Sequence, residues 1–179
     1  MKQILQYLTL LIFALTSSSF VNANLTNPEL IKDKKVLFKI QRSKDANEVY
    51  YTVNVDKNGQ LDVHNPIQVF WVKYYKDGTK IEPLTWVQKK FAYGINYIHI
   101  DKTYAVFQFV SYPKRQLIVK KSTNGQFNVY VMSNNKWVIL EKIFVQIDGG
   151  TFWLPNIPKV EIYGRDPAFN LLNIEIIKP

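Results

Sequence analysis

From Val36 onward the chain keeps returning to one pattern: short runs in which every second side chain is apolar, closed by Gly, Asn or Asp. Period two is the period of a β-strand, whose successive side chains point to opposite faces of a sheet. Val36, Phe38 and Ile40 alternate with Leu37, Lys39 and Gln41. Val49, Tyr51, Val53 and Val55 alternate with Tyr50, Thr52 and Asn54. Asn58-Gly59 and Asn124-Gly125 are hairpin signals, because tight hairpin turns need residues that accept positive φ. Residues 67–75 are apolar on both parities, with Val69 and Trp71 on one and Phe70 and Val72 on the other. That predicts a central strand covered on both faces. Further strands are expected at 95–100, 104–111, 117–121, 127–132, 137–147 and 159–163, with Pro113 as an interruption. Residues 171–177 read as one more strand or as a docked tail.

One segment leaves this period. Pro83, Leu84, Val87 and Phe91 have the three-and-four spacing of a short helix, with Pro83 suited to its first turn and Gly94 to its stop. A strand at 84–87 is the alternative. The reading is a mostly β fold: an antiparallel barrel or sandwich of about eight or nine strands with one short helix. A closed barrel would remove exposed strand edges. The same strands leave two interiors open, one enclosing a cavity and one filled.

The first residues have a different character. Met1-Lys2 is followed by an apolar run to Phe13, then by small residues, with Val21 and Ala23 at the spacing that signal peptidase reads. We expect a signal peptide at 1–23, cleaved after Ala23, a lead-in at 24–35 and a single β domain at 36–179. The apolar run is too short to cross a hydrocarbon core of roughly 30 Å, and no later stretch reaches that length. The expected location is therefore outside the cytoplasm, periplasmic or secreted. With no Cys in the chain, disulfides, lipid attachment at Cys, thiolate metal sites and a Cys nucleophile are all excluded. Stability then has to come from the core, and an aromatic content of 15% supplies one. The net charge of +9 comes mostly from Lys, in pairs such as Lys34-Lys35, Lys89-Lys90, Lys114-Arg115 and Lys120-Lys121. Read along the sequence, these pairs are dispersed. They fit an anionic envelope, lipid or polysaccharide better than nucleic acid, which is not an expected partner.

Several blocks also resemble a known grouping. These are Leu37-Phe38-Lys39-Ile40-Gln41-Arg42-Ser43-Lys44, then Asn47-Glu48-Val49-Tyr50-Tyr51, Val69-Phe70-Trp71-Val72, Lys90-Phe91-Ala92-Tyr93-Gly94-Ile95 and Ile162-Tyr163-Gly164-Arg165-Asp166. They are similar to an uncharacterised bacterial exported family, domain of unknown function 4833. The resemblance covers about residues 36 to 166. It implies export and a mostly β fold, and it carries no known activity.

No residue set nominates a reaction. The His residues are His64 and His99, and no Gly-x-Ser-x-Gly occurs. His64 adjoins Asn65-Pro66 and reads as loop; His99 shares a strand parity with Asp101. Asp56, Asn58 and Asp62 open like a calcium loop, but Leu61 and Ile67 stand where its Gly and Glu are required. No metal and no cofactor is expected.

The informative residues are polar ones on apolar parities. Arg42 follows Phe38 and Ile40, Lys73 follows Val69 and Trp71, and Gln108 lies between Val106 and Val110. Buried polar groups need partners. With Trp71, His99 and Arg165 they form the candidate ligand-binding set, facing an unidentified small amphipathic or anionic ligand or an envelope component. Strand-end positions reaching solvent are the competing reading. Trp86, Phe152 and Trp153 are candidates for a contact surface. The expected function is a non-enzymatic binding domain. The alternatives are an accessory interaction module of the envelope and an enzyme of unassigned mechanism.

Overall fold

The computed structural model describes residues 31–151 and 154–178. The leader expected at 1–23, and Phe152 and Trp153, lie outside these residues. Eleven strands and one helix follow in order: β1 (Val36–Arg42), β2 (Asp45–Val53), β3 (Ile67–Tyr75), β4 (Gly78–Pro83), α1 (Trp86–Phe91), β5 (Ile95–Ile100), β6 (Tyr104–Phe109), β7 (Tyr112–Lys121), β8 (Phe127–Ser133), β9 (Lys136–Gln146), β10 (Lys159–Arg165) and β11 (Leu172–Ile177). The fold is mostly β with one short helix, as the period-two pattern requires. Successive neighbours in the sheet are β4-β3-β2-β1-β9-β8-β7-β6-β5, with β10 on β9 and β11 on β10.

Strand β9 organises everything. Its residues 136–139 pair with β8, and Lys142 to Val145 pair with β1. From Ile139 to Gln146 it also pairs with β10. Ile139 has partners in both β8 and β10, and Lys142 to Val145 have partners in both β1 and β10. A strand has two edges, so β8 and β1 must share one and β10 holds the other. Two four-stranded wings, β1–β4 and β5–β8, thus leave the same edge of β9 and curl toward each other as a half-barrel. All pairings in the sheet are antiparallel except β1 with β9.

The wings meet over one core. Phe38 stacks on Tyr51 at 4.3 Å, and Phe109 from the other wing meets their rings edge-on at 6.0 and 5.8 Å. Phe107, Leu117, Val119, Val129, Val131, Val138 and Leu140 fill the remainder. Burying each such side chain contributes roughly 1.5–3 kcal/mol. Backbone and side-chain bonds then tie the wing tips. The Tyr51 hydroxyl donates to the Tyr93 carbonyl at 2.7 Å, Ile67 N–H to the Tyr97 hydroxyl at 3.1 Å, and Leu61 N–H to the Lys102 carbonyl at 3.0 Å. Burial pushes the Tyr97 hydroxyl up to about 12, so it stays neutral there.

Strands β2 and β3 are covered on both faces, as residues 67–75 announce. Behind the core, Tyr50, Phe70 and Val72 form a second cluster with Ile31, Tyr74 and Ile81. A carboxylate sits among them. Glu48, 5% exposed, accepts from Lys39 Nζ and the Tyr50 hydroxyl at 2.8 Å, from the Tyr74 hydroxyl at 3.0 Å, and from Gln41 Nε2. Burial alone raises its pKa. The Lys39, Gln41 and Tyr50 hydrogen bonds and the Lys39 charge overcome that and hold it below the ordinary value.

Three local features depart from the sequence reading, each for a physical reason. Strand β4 carries little apolar alternation because it is a charged edge strand, with Lys80 opposite Lys73 and Glu82 opposite Trp71. Helix α1 starts after β4 ends at Pro83. Thr85 is its cap: its hydroxyl accepts from Gln88 N–H, and the Gln88 side chain accepts from Thr85 N–H. Pro113 lies inside β7, where residues 113–115 form a bulge outside the register with β6, so its missing N–H breaks no ladder bond. The helix ends at Phe91 with Ala92 as its C-cap, and Gly94 follows where a Cβ would overlap the Lys89 carbonyl oxygen.

Replacing Glu48 by Ala leaves two Tyr hydroxyls and a Lys without their acceptor; we expect a loss of about 3 kcal/mol in denaturant unfolding at neutral pH. Because the folded-state pKa is lowered, the stability from Glu48 is complete above the ordinary carboxylate value and is lost as pH falls through the folded value. Glu48→Gln should therefore show a flatter acid limb than the parent. Gly94→Ala should detach the helix end, read as loss of protection in amide exchange around residues 89–94.

Candidate functional site

A cavity of about 460 Å³ opens where the half-barrel is not closed, between wing β5–β8 and the β9–β10–β11 side. Its walls are apolar. Ile40, Phe109, Leu117 and Val131 come from the two wings, and Leu140, Ile143, Val145, Val160, Ile162 and Ile177 from the opposite side. Ala92 and Tyr93, which follow the helix, form its upper wall. The volume falls in the range of small-molecule pockets, and an apolar interior with a few polar groups at one end is their usual construction.

Those polar groups stand at the rim: Ser111, Tyr112, Lys114, Arg115 and Lys178. The Pro113 bulge puts Lys114 and Arg115 there, since it takes 113–115 out of the ladder at the point where β6 turns into β7. The cations differ in availability. Arg115 donates twice to Glu175, at 2.6 and 2.8 Å, and once to the Met132 carbonyl at 3.1 Å. This pair fastens β11 to the far wing, helped by the Ser133 hydroxyl on Asn173 Oδ1 at 3.0 Å. The Arg115 guanidinium holds Glu175 below the ordinary carboxylate value. Lys114 and Lys178 are exposed and have no ion-pair partner among the described residues. They are the cations open to a ligand.

None of the six candidate residues lines this cavity. Three of them gather one layer behind it. The Arg42 guanidinium lies 4.9 Å over the Trp71 ring and pairs with Asp45. Trp71 donates to Gln88 Oε1 at 3.1 Å and meets Tyr93 edge-on at 5.2 Å. Lys73, two residues further along the same face, pairs with Glu82 at 2.5 Å. Together they brace Tyr93 against the cavity, and their polar groups are used internally except Arg42 Nε, which is buried without a partner.

The other three lie apart. Gln108 points to the outer face of its wing, because Ala105, Phe107 and Phe109 take the inner one. His99 is on that outer face too, bonded to Asp101 at 3.0 Å and stacked on Tyr104 at 4.6 Å. Asp101 also accepts from Thr103 and Tyr104 N–H, and these bonds, with those from the Thr103 hydroxyl and His99, hold it well below the usual carboxylate range. It closes the β5–β6 turn. Arg165, at the end of β10, donates to Glu141 at 2.5 Å. The residues missed by sequence reasoning are Tyr93, Lys114 and Lys178; the legible signal was the Pro beside a cationic pair.

A family model described as Domain of unknown function (DUF4833) matches residues 38–172. The chain belongs to that family. The match runs from β1 to the first residue of β11, so it includes the helix, nearly all of both wings and the cavity lining up to Ile162, while Ile177 and Lys178 lie beyond it. No curated protein and no solved structure matches the chain.

Arg115→Ala should free β11 from the wing. We expect amide exchange in residues 172–177 to speed up about tenfold, the equivalent of about 1.4 kcal/mol, with little change in β1–β3.

Proposed function

We propose that this domain is an exported, non-enzymatic carrier or sensor of a small amphipathic anion, with the apolar tail in the cavity and the charged head at its rim. The observation that carries the reading is one end-to-end polarity. The walls are aliphatic and aromatic, while Lys114 and Lys178, both exposed and without an ion-pair partner among the described residues, also line the cavity. An isolated carboxylate buried in such walls would be strongly disfavoured, so the head must stay at the rim, where a Lys ammonium compensates it. The tail gains roughly 25 cal/mol for each Å² it removes from water. Neutral apolar molecules forgo the rim contact and cationic amphiphiles meet repulsion. The leader pattern at 1–23 supports export, and an exported domain would meet envelope amphiphiles.

Calorimetric titration with octanoate, dodecanoate and dodecyltrimethylammonium tests this. Affinity should rise from octanoate to dodecanoate and be absent for the cation. Lys114→Glu should weaken dodecanoate about tenfold. Val160→Trp, which fills the cavity from the β10 wall, should abolish it while leaving the fold intact. Equal affinity for the anionic and cationic amphiphiles, or undiminished binding by Val160→Trp, would remove the proposal.

A further inference from the structure

The net charge belongs to one wing. Residues 83–140, which are α1 and wing β5–β8 with the start of β9, hold eight Lys and Arg against the single acid Asp101. The rest of the chain holds fifteen against thirteen and is nearly balanced. Asp101 itself is committed to His99 and its own turn.

Helix α1 sits at the edge of this cationic wing and buries none of its side chains. A helix of six residues without an apolar contact face would not persist in isolation. Here it is held from one end, by the Thr85–Gln88 capping box and by the Trp71 hydrogen bond to Gln88. Val87 is half-buried, and Trp86, Lys89, Lys90 and Phe91 are exposed. Trp86 is 69% exposed and Phe91 60%, their rings 6.4 Å apart. The Lys90 ammonium lies 5.9 and 5.3 Å from the two ring centroids, and Lys89 is beside it. Aromatic rings with Lys on a short, outward helix are the composition of a bilayer-interface contact: the rings enter the headgroup region and the ammoniums meet lipid phosphates.

The helix is also next to the cavity mouth. Its chain continues into Ala92 and Tyr93, which are cavity wall, and the Ser111 hydroxyl donates to the Ala92 carbonyl at 2.7 Å. Ser111 is followed by the rim residues Tyr112 and Lys114.

We propose that α1 and the cationic wing dock this domain on an anionic lipid surface, with Trp86 and Phe91 inserted, Lys89 and Lys90 on phosphate, and the cavity mouth turned to the lipid. The docking stands on the helix and the charge; only the loading of the cavity from the surface rests on the function proposed above.

Vesicle sedimentation is the test, with phosphatidylcholine alone and mixed with phosphatidylglycerol. Binding should need the anionic lipid and weaken with salt. Trp86→Ala/Phe91→Ala and Lys89→Glu/Lys90→Glu should each reduce it about tenfold or more while dodecanoate titration is unchanged. Val160→Trp should bind vesicles like the parent. A parent that binds vesicles but not dodecanoate removes the cavity reading and leaves the docking in place. Absence of vesicle binding, or equal binding by Trp86→Ala/Phe91→Ala, overturns it. So does retention on dextran sulfate that matches vesicle binding and ignores the two rings, which would make the wing a polyanion surface.

Discussion

The structure depends on one shared edge. Strand β9 offers its first residues to β8 and its later ones to β1, on the same side, while β10 takes the other. Two sheets cannot leave one edge in the same plane, so the wings diverge, twist and face each other. The core is what lies between them. The cavity is what lies where they do not close and where β10 and β11 form a third wall. Gly164 belongs to the same junction: β10 slips register on β9 between Tyr163 and Gly164, and a Cβ at Gly164 would press into Val138. Only glycine lets the two strands approach there.

A chain without Cys has to hold such an open arrangement by packing and hydrogen bonds. Aromatic packing contributes to this: Phe38 and Tyr51 stack within the first wing and Phe109 of the second meets both rings edge-on. Glu48 does the same on the outer side of the first wing, where one carboxylate gathers donors from β1, β2 and β3. Such a group is costly when isolated and secure when every lone pair is used. Arg115 and Glu175 act at longer range, joining β7 to β11, and so fix the cavity's third wall.

The distribution of polarity gives this frame a direction. The first wing covers its outer face with a second apolar cluster and balances most of its charges in pairs. The second wing leaves its outer face half-buried or exposed, carries almost no acid, and meets the helix and the cavity rim. One side of the molecule thus spends its charges on internal cohesion, and the other carries most of the excess cations.

By itself the sequence determined the strands, the hairpins at Asn58-Gly59 and Asn124-Gly125, the helix near Leu84 to Gly94, and the family. These follow from local properties: a period of two, glycine at positive φ, and a close backbone approach at Gly94 just after the helix. Strand β4 escaped because Thr79, Lys80 and Glu82 leave an edge strand without alternation. The placement of the site was decided by tertiary structure. Parity puts Arg42 and Trp71 on an inner face correctly, but it is blind to which inner face adjoins a cavity. It also assigns Gln108 to the side opposite the one it occupies, because Val106 and Val110 look as apolar as the buried row Ala105, Phe107 and Phe109. The pairing of β1 with β9 joins Lys39 to Lys142 across most of the domain. No local period encodes a partner that distant. With the β8 and β10 pairings on the same strand, the β1 pairing sets where the two wings lie and so where the cavity opens.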